Sequence, residues 1–177
     1  MVPGPGRRDD AGMNSTTTPP DGPLLLCYDS SDHAADAIED ARRLFAGDQA
    51  LVLAVWQPLT GLDTIAWAGA TASMVDFVDL DHAAATDGGR VAEAGARLAR
   101  DAGFEAEAIA VKAEGPIWKT ILQVAEQHHA SAIVLGSRGL TGVRSMLLGS
   151  VSGAVVHHAD RPTLVVHRSH DEDVDEQ

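Results

Sequence analysis

The sequence predicts an α/β fold: a doubly wound, five-stranded parallel sheet in the order 3-2-1-4-5 with helices on both faces. Three observations predict it. Apolar runs of strand length alternate with segments whose apolar residues recur at helical period. Such alternation implies right-handed crossovers and a parallel sheet covered on both sides. The chain of 177 residues is about one domain, and its 45% hydrophobic content is a globular value that excludes wholesale disorder.

Each element follows in order. Leu24–Tyr28 is a short, nearly continuous apolar run, as a strand buried on both faces requires. Ser30-Ser31 then offers an N-cap, with Ala34, Ile38, Ala41, Leu44 and Phe45 at helical spacing and Gly47 as the stop. Leu51–Trp56 is a second buried strand. The stretch Gln57–Gly89, broken by Pro58, Gly61, Gly69, Gly88 and Gly89, reads as a mobile loop leading into a helix over Arg90–Ala102. Val91, Ala94 and Leu98 are its expected inward residues. Phe104–Lys112 alternates with Glu and belongs at a sheet edge. Gly115-Pro116 opens a helix with Pro in its first turn, and Ile117, Ile121, Val124 and Ala125 share a face up to His128-His129. Ser131–Leu135 is the fourth strand, Ser150–His158 a helix, and Thr163–His167 the last strand.

Outside this unit, residues 1–22 read as a disordered leader rich in Pro, Gly, Ser and Thr, with Met13 as an alternative start. Residues 169–177 read as an acidic disordered tail, leaving 23–168 as the folded domain. The leader shows no apolar h-region, and the longest apolar stretch, Ala50 to Trp56, is far below a membrane span. The expected location is cytoplasmic. Thirteen basic residues against 26 acidic ones give a net charge of −13, which repels nucleic-acid backbones and anionic membranes. Neither is an expected partner. Aromatics are 4% of the chain, so Ala, Val, Leu and Ile must build the core. The single cysteine, Cys27, excludes a disulfide framework and reads as a small buried hydrophobe.

Open α/β sheets bind ligands beyond the carboxyl ends of their strands, so the residues after each strand carry the search for function. The first strand runs into Asp29. The fourth runs into Gly136-Ser137-Arg138-Gly139, followed by nine residues and then Gly149-Ser150 at the start of a helix. Glycines permit positive φ and let backbone N–H groups approach a ligand closely. A helix N-terminus offers free N–H groups and partial positive charge, a natural phosphate seat. Ser150 is placed to cap that helix and to donate its hydroxyl to a phosphate, and Arg138 to add charge.

The pattern Gly136-x-x-Gly139-(nine residues)-Gly149-Ser150 resembles the nucleotide-binding signature of the universal stress protein family. Asp29, the Val55-Trp56 end of the second strand and Arg161-Pro162-Thr163-Leu164-Val165-Val166 extend the resemblance over about residues 23–168. It implies an ATP-binding α/β domain, usually a homodimer, tied to stress or growth-arrest responses. It further implies that Asp29 lies by the ribose or a phosphate-bound magnesium, that Val55 packs on the adenine, and that Leu135 sits beside that pocket. Gly136, Gly139, Gly149, Ser150 and Val151 would hold ribose and phosphates through backbone N–H groups. Arg138 occupies a variable position and enters on charge alone. Ala54 stands where relatives commonly carry histidine.

Other chemistries each lack a part. A P-loop needs Lys-[Ser/Thr] after its last glycine, and a dinucleotide fold needs G-x-G-x-x-G after its first strand. Neither is present. His157-His158 are helix neighbours whose side chains diverge, favouring a helix C-terminus over a metal site. Asp79-Leu80-Asp81-His82 reads as an acidic solvated loop, and Trp67 and Trp118 as packing residues. Two functional classes remain: a nucleotide-sensing binding protein whose ATP occupancy changes its conformation or partners, and a slow ATPase or autokinase using the same pocket. Without a Walker lysine, paired carboxylates or a nucleophile with an adjacent base, the binding protein is favoured. The expected dimer forms through the edge strand Thr163–His167, which carries no Lys, bulge or inward charge to discourage pairing.

Overall fold

The computed structural model of the chain describes residues 22–47, 49–57, 77–139 and 148–167, with backbone alone at 77–80. The five strands are β1 (Leu24–Cys27), β2 (Gln49–Trp56), β3 (Glu105–Lys112), β4 (Ala132–Gly136) and β5 (Thr163–Val166). Four helices join them: α1 (Asp32–Leu44), α2 (Phe77–Asp101), α3 (Ile117–Gln127) and α4 (Ser150–His158). All strand pairs are parallel and the order is β3-β2-β1-β4-β5, the architecture the sequence predicts. Among the described residues no helix is long and apolar enough to cross a membrane.

The period-two alternation of buried strands divides the core between the two faces. Leu24, Leu26, Val52 and Val134 pack with Ala37, Ile38 and Ala41 of α1 and Ala96 and Ala99 of α2. Leu25, Leu53, Ile133 and Leu135 pack on the other side with Ile121, Val124 and Ala125 of α3 and Val155 of α4. The sheet is thus wound on both faces around β1. The point where strand order reverses, between β1 and β4, opens at their carboxyl ends.

Several expectations need correction. The helix after β2 starts at Phe77 instead of Arg90, so Gly88, Gly89 and the Asp79–His82 run are helical. Gly88 was a misleading loop marker. A Cβ there would stand 2.7 Å from Trp56 Cδ1, so glycine lets the helix pass close to the indole. The inward face of α2 is also rotated from the expected one: Ala92, Ala96 and Ala99 are buried, whereas Leu98 is 39% exposed. Gly95 explains the closeness, since a Cβ there would meet Tyr28 Cδ1 at 2.7 Å. Small residues face the sheet because only they fit. In α1 the helix ends at Leu44, which is 66% exposed, and Phe45 caps it through its N–H to Ala41, leaving Gly47 outside.

The termini of the other helices are set locally. Ser31 caps α1, accepting from the Ala34 N–H at 3.2 Å as the serine pair predicts. Pro116 is the N-cap of α3, one position before its expected place. The C-terminal end of α3 is held from a distance: the Arg161 guanidinium donates through Nη1 to the carbonyls of Ala125 and Ala130, at 2.7 and 3.0 Å. Trp118 stacks on His158 at 4.5 Å, and the His157 ring meets that of His158 edge-on at 4.8 Å, so the two imidazoles touch where divergence was expected. Among the described residues no three His, Cys, Asp or Glu side chains gather as a metal site. Trp67, Met13, most of the expected leader and the acidic tail lie outside the described residues.

The two sheet edges differ. Among the described residues β3 pairs only with β2 and exposes Glu105 and Glu107, with Lys112 at its end, whereas β5 pairs only with β4 and reads Thr-Leu-Val-Val.

Candidate functional site

The carboxyl end of β1 turns sharply. Asp29 Oδ1 accepts the Ser31 N–H at 3.0 Å, closing a turn around Ser30. Ser30 is held at φ 69, a left-handed conformation that a serine adopts at a cost. The turn fixes the Asp29 carboxylate, and its other oxygen lies against Gly139: a Cβ on that glycine would be 2.6 Å from Asp29 Oδ2.

The carboxyl end of β4 is tied to the start of α4. The Ser137 carbonyl accepts both the Gly149 N–H, at 2.7 Å, and the Ser152 hydroxyl, at 2.8 Å. Gly149 is the N-cap of α4, and among the described residues no side chain caps the helix, which corrects the expected capping role of Ser150. The site glycines also work differently from expectation. Among the described residues Gly103 is the one glycine with positive φ, so Gly136, Gly139 and Gly149 serve close approach instead of an unusual backbone. A Cβ at Gly136 would meet the His33 backbone at 2.7 Å, and one at Gly149 would meet the Ser137 carbonyl at 3.2 Å. These glycines let β4, α1, Asp29 and the start of α4 crowd together.

A cavity of about 250 Å³ lies where these ends meet. All nine residues singled out in the sequence line it: Asp29 from the β1 turn, Val55 from β2, Leu135, Gly136, Arg138 and Gly139 from β4 and its loop, and Gly149, Ser150 and Val151 at the start of α4. The sequence reading missed Cys27, Tyr28, Leu53, Ile117, Ile121 and Ser152. Strand parity would have found two of them. Cys27 and Leu53 share a sheet face with Val55 and Leu135, because alternate residues along a strand point the same way. Ile117 and Ile121 were read purely as core, yet the first turns of α3 form a wall of the cavity.

The cavity has two chemical ends. Cys27, Leu53, Val55, Ile117, Ile121 and Leu135 make one apolar. The other carries Asp29, Arg138, Ser150 and the uncapped N-terminus of α4, whose first N–H groups hold partial positive charge. Burial, and secondarily the Asp29 charge, push the Cys27 thiol up to about 12, so it stays protonated and behaves as an apolar wall. Ser137 is 1% exposed, which puts it beneath the site and away from its opening, and among the described residues its hydroxyl has no hydrogen-bond partner. An apolar slot ending in a helix N-terminus has the chemistry to accept a flat group attached to an anion.

Comparison with known proteins agrees with this reading of the fold. The family model described as universal stress protein family matches residues 22–167. The universal stress protein YxiE of Bacillus subtilis (strain 168) is 30% identical over 148 residues, covering 81% of this chain and 97% of its own. The solved structure of the hypothetical protein MJ0577, from Methanocaldococcus jannaschii, superposes with a TM-score of 0.66 at 23% identity, covering 84% of this chain and 96% of the other. A universal stress protein solved in complex with cAMP superposes with a TM-score of 0.56 at 21% identity, over 84% and 98% of the two chains. At these identities the structures establish the fold alone. The family model spanning the whole sheet, and a relative matched over nearly its full length, establish that this chain belongs to the universal stress protein family.

Proposed function

We propose that this chain binds ATP in the cavity between β1, β4 and α4 and acts as a nucleotide-dependent stress or growth-arrest regulator, not as a fast catalyst. The observation that carries the proposal is the N-terminus of α4, which no side chain caps and which lines the cavity, in contrast to α1, where Ser31 supplies a cap. The residues present fit the ligand. Gly139 and Gly149 leave the phosphate end free of side chains, Ser150 and Arg138 add a hydroxyl and a cation, and the apolar end suits a purine ring. The relative solved with cAMP supports an adenine nucleotide. Magnesium would arrive with the phosphates and share Asp29, the one carboxylate lining the cavity among the described residues.

Regulation is favoured over turnover by the state of the candidate groups. Asp29 is engaged by the Ser31 N–H, and the Ser137 hydroxyl is shut away from the cavity opening. Calorimetry with ATP, ADP and cyclic AMP, with and without magnesium, tests the proposal. Saturable ATP binding with hydrolysis far below typical enzyme rates of about 1–10³ per second is the expected result. Absence of nucleotide binding, or robust turnover abolished by Asp29→Ala, would overturn it.

The expected partner is a second copy through β5. Pro162 and Val166 give their carbonyls to Ile133 and Ser137 of the β4 side, so Thr163 and Val165, of opposite parity, turn their backbone groups to the open edge. Antiparallel pairing about a two-fold axis would satisfy those groups. Light scattering on the parent at micromolar concentration with ATP present decides the point, and a monomer refutes it.

A further inference from the structure

A second, larger cavity of about 450 Å³ lies between the carboxyl ends of β1 and β2 and the first half of α2. Tyr28, Asp29 and Val55 line both cavities, so the two flank the same strand ends. The nucleotide reading makes no use of this space. Its origin is steric. α2 rests against Tyr28 at Gly95 and against Trp56 at Gly88. Beside these two contacts, the side chains of Ala54, Ala84 and Val91 line a hollow.

The walls have a distinct chemistry. Tyr28 and Trp56, two of the seven aromatic residues in the chain, line this one space. The charged side chains lining it, among the described residues, are both carboxylates, Asp29 and Asp87. The Trp56 ring already attracts an ammonium, since Lys112 Nζ lies 5.3 Å from its centroid while bonded to Asp81 at 2.8 Å. Asp87 pairs with Arg90 one turn on, an exposed pair of small energetic weight, and the whole chain carries a net charge of −13. The first cavity ends in Arg138 and a helix N-terminus and prefers anions; this one has the opposite preference.

We propose that the cavity under α2 binds a small organic cation with a flat apolar body, an aromatic amine. Its ring packs with Tyr28, Trp56 and Val91, and its ammonium is drawn by Asp29 and Asp87. Asp29 and Val55 belong to both cavities, so on the nucleotide reading above each ligand changes the affinity of the other by the same factor.

The test titrates the full chain, free of nucleotide, with tryptamine, indole and indole-3-acetate, which share a ring and differ in charge. Calorimetry should rank tryptamine above indole by about fivefold, the upper worth of one exposed ion pair, with the acetate weakest. Ala84→Leu keeps helix propensity and fills the cavity, and should lower tryptamine affinity by about tenfold or more while ATP binding stays unchanged. Asp87→Asn, a surface change that leaves packing intact, should weaken tryptamine and spare indole. Equal affinity for the three probes, no saturation by millimolar tryptamine, or full tryptamine affinity in Ala84→Leu would overturn the proposal. Loss of ATP binding with tryptamine binding retained would refute the nucleotide reading and leave this one standing.

Discussion

Replacing Gly139 by alanine tests how the site is organised. The new Cβ would stand 2.6 Å from Asp29 Oδ2, about 0.8 Å inside ordinary van der Waals contact, so the carboxylate must withdraw by that amount. It has little room to do so, because Oδ1 holds the Ser31 N–H at 3.0 Å across left-handed Ser30. Withdrawal stretches that bond beyond hydrogen-bonding range and costs about 1 kcal/mol of stability. For a chain of this size that lowers Tm by about 2–4 °C. At the proposed nucleotide site the loss should be larger, because the displaced carboxylate would abandon a charged contact, and ATP affinity should fall by about tenfold or more. Calorimetry of binding and of unfolding reads both numbers. In an Asp29→Ala background the same glycine substitution should do almost nothing, because the clash has lost its partner. An equal loss of affinity in both backgrounds would refute coupling through Asp29, and unchanged ATP affinity in the single variant would refute the placement of the ligand.

Three further outcomes follow from other contacts. Arg161→Ala removes the donors to Ala125 and Ala130 from a side chain only 12% exposed, so chemical denaturation should show a loss of about 3 kcal/mol; a change under about 1 kcal/mol would show those carbonyls satisfied otherwise. The Cys27 thiol, raised by burial and Asp29 from 9.0 to about 12, keeps its proton after the unfolded thiol has lost it. Its share of stability is therefore complete below pH 9 and declines as pH rises from 9 towards 12, and iodoacetamide at pH 8 should label the native protein at least about tenfold more slowly than the unfolded chain. Val165→Pro removes a donor facing the open edge and spares the β4 ladder, so sedimentation should report weaker self-association with unchanged secondary structure; unaltered association would exclude β5 as the interface.

Much of the fold was legible because a parallel sheet buried on both faces writes its strands as continuous apolar runs. Leu24-Leu25-Leu26 and Ile133-Val134-Leu135 needed little beyond that rule. Helix α2 was not legible, and the reason is physical. Gly88 and Gly95 serve tertiary contact with Trp56 and Tyr28, but a glycine in one sequence looks the same whether it breaks a helix or lets one approach. Ranking inward residues by size then failed for Leu98, since the helix lies too near the sheet for leucine. The site was readable where backbone geometry imposes spacing, from Gly136 to Ser150. Its apolar end, Ile117 and Ile121, was hidden because a cavity wall and a core face share one hydrophobic pattern.

The contrast between the two outer strands reaches beyond a single pair of molecules. Growth of a strand-to-strand assembly into a filament requires an adhesive margin on each side of every subunit. β3 presents the exposed charges Glu105, Glu107 and Lys112, which an added strand would have to desolvate, whereas β5 presents uncharged Thr163 and Val165. Once two copies join through β5, the outer margins of the pair are both β3, and both resist further addition. Assembly by this route terminates itself at two, which allows a concentrated protein to keep one sheet margin adhesive without seeding fibres.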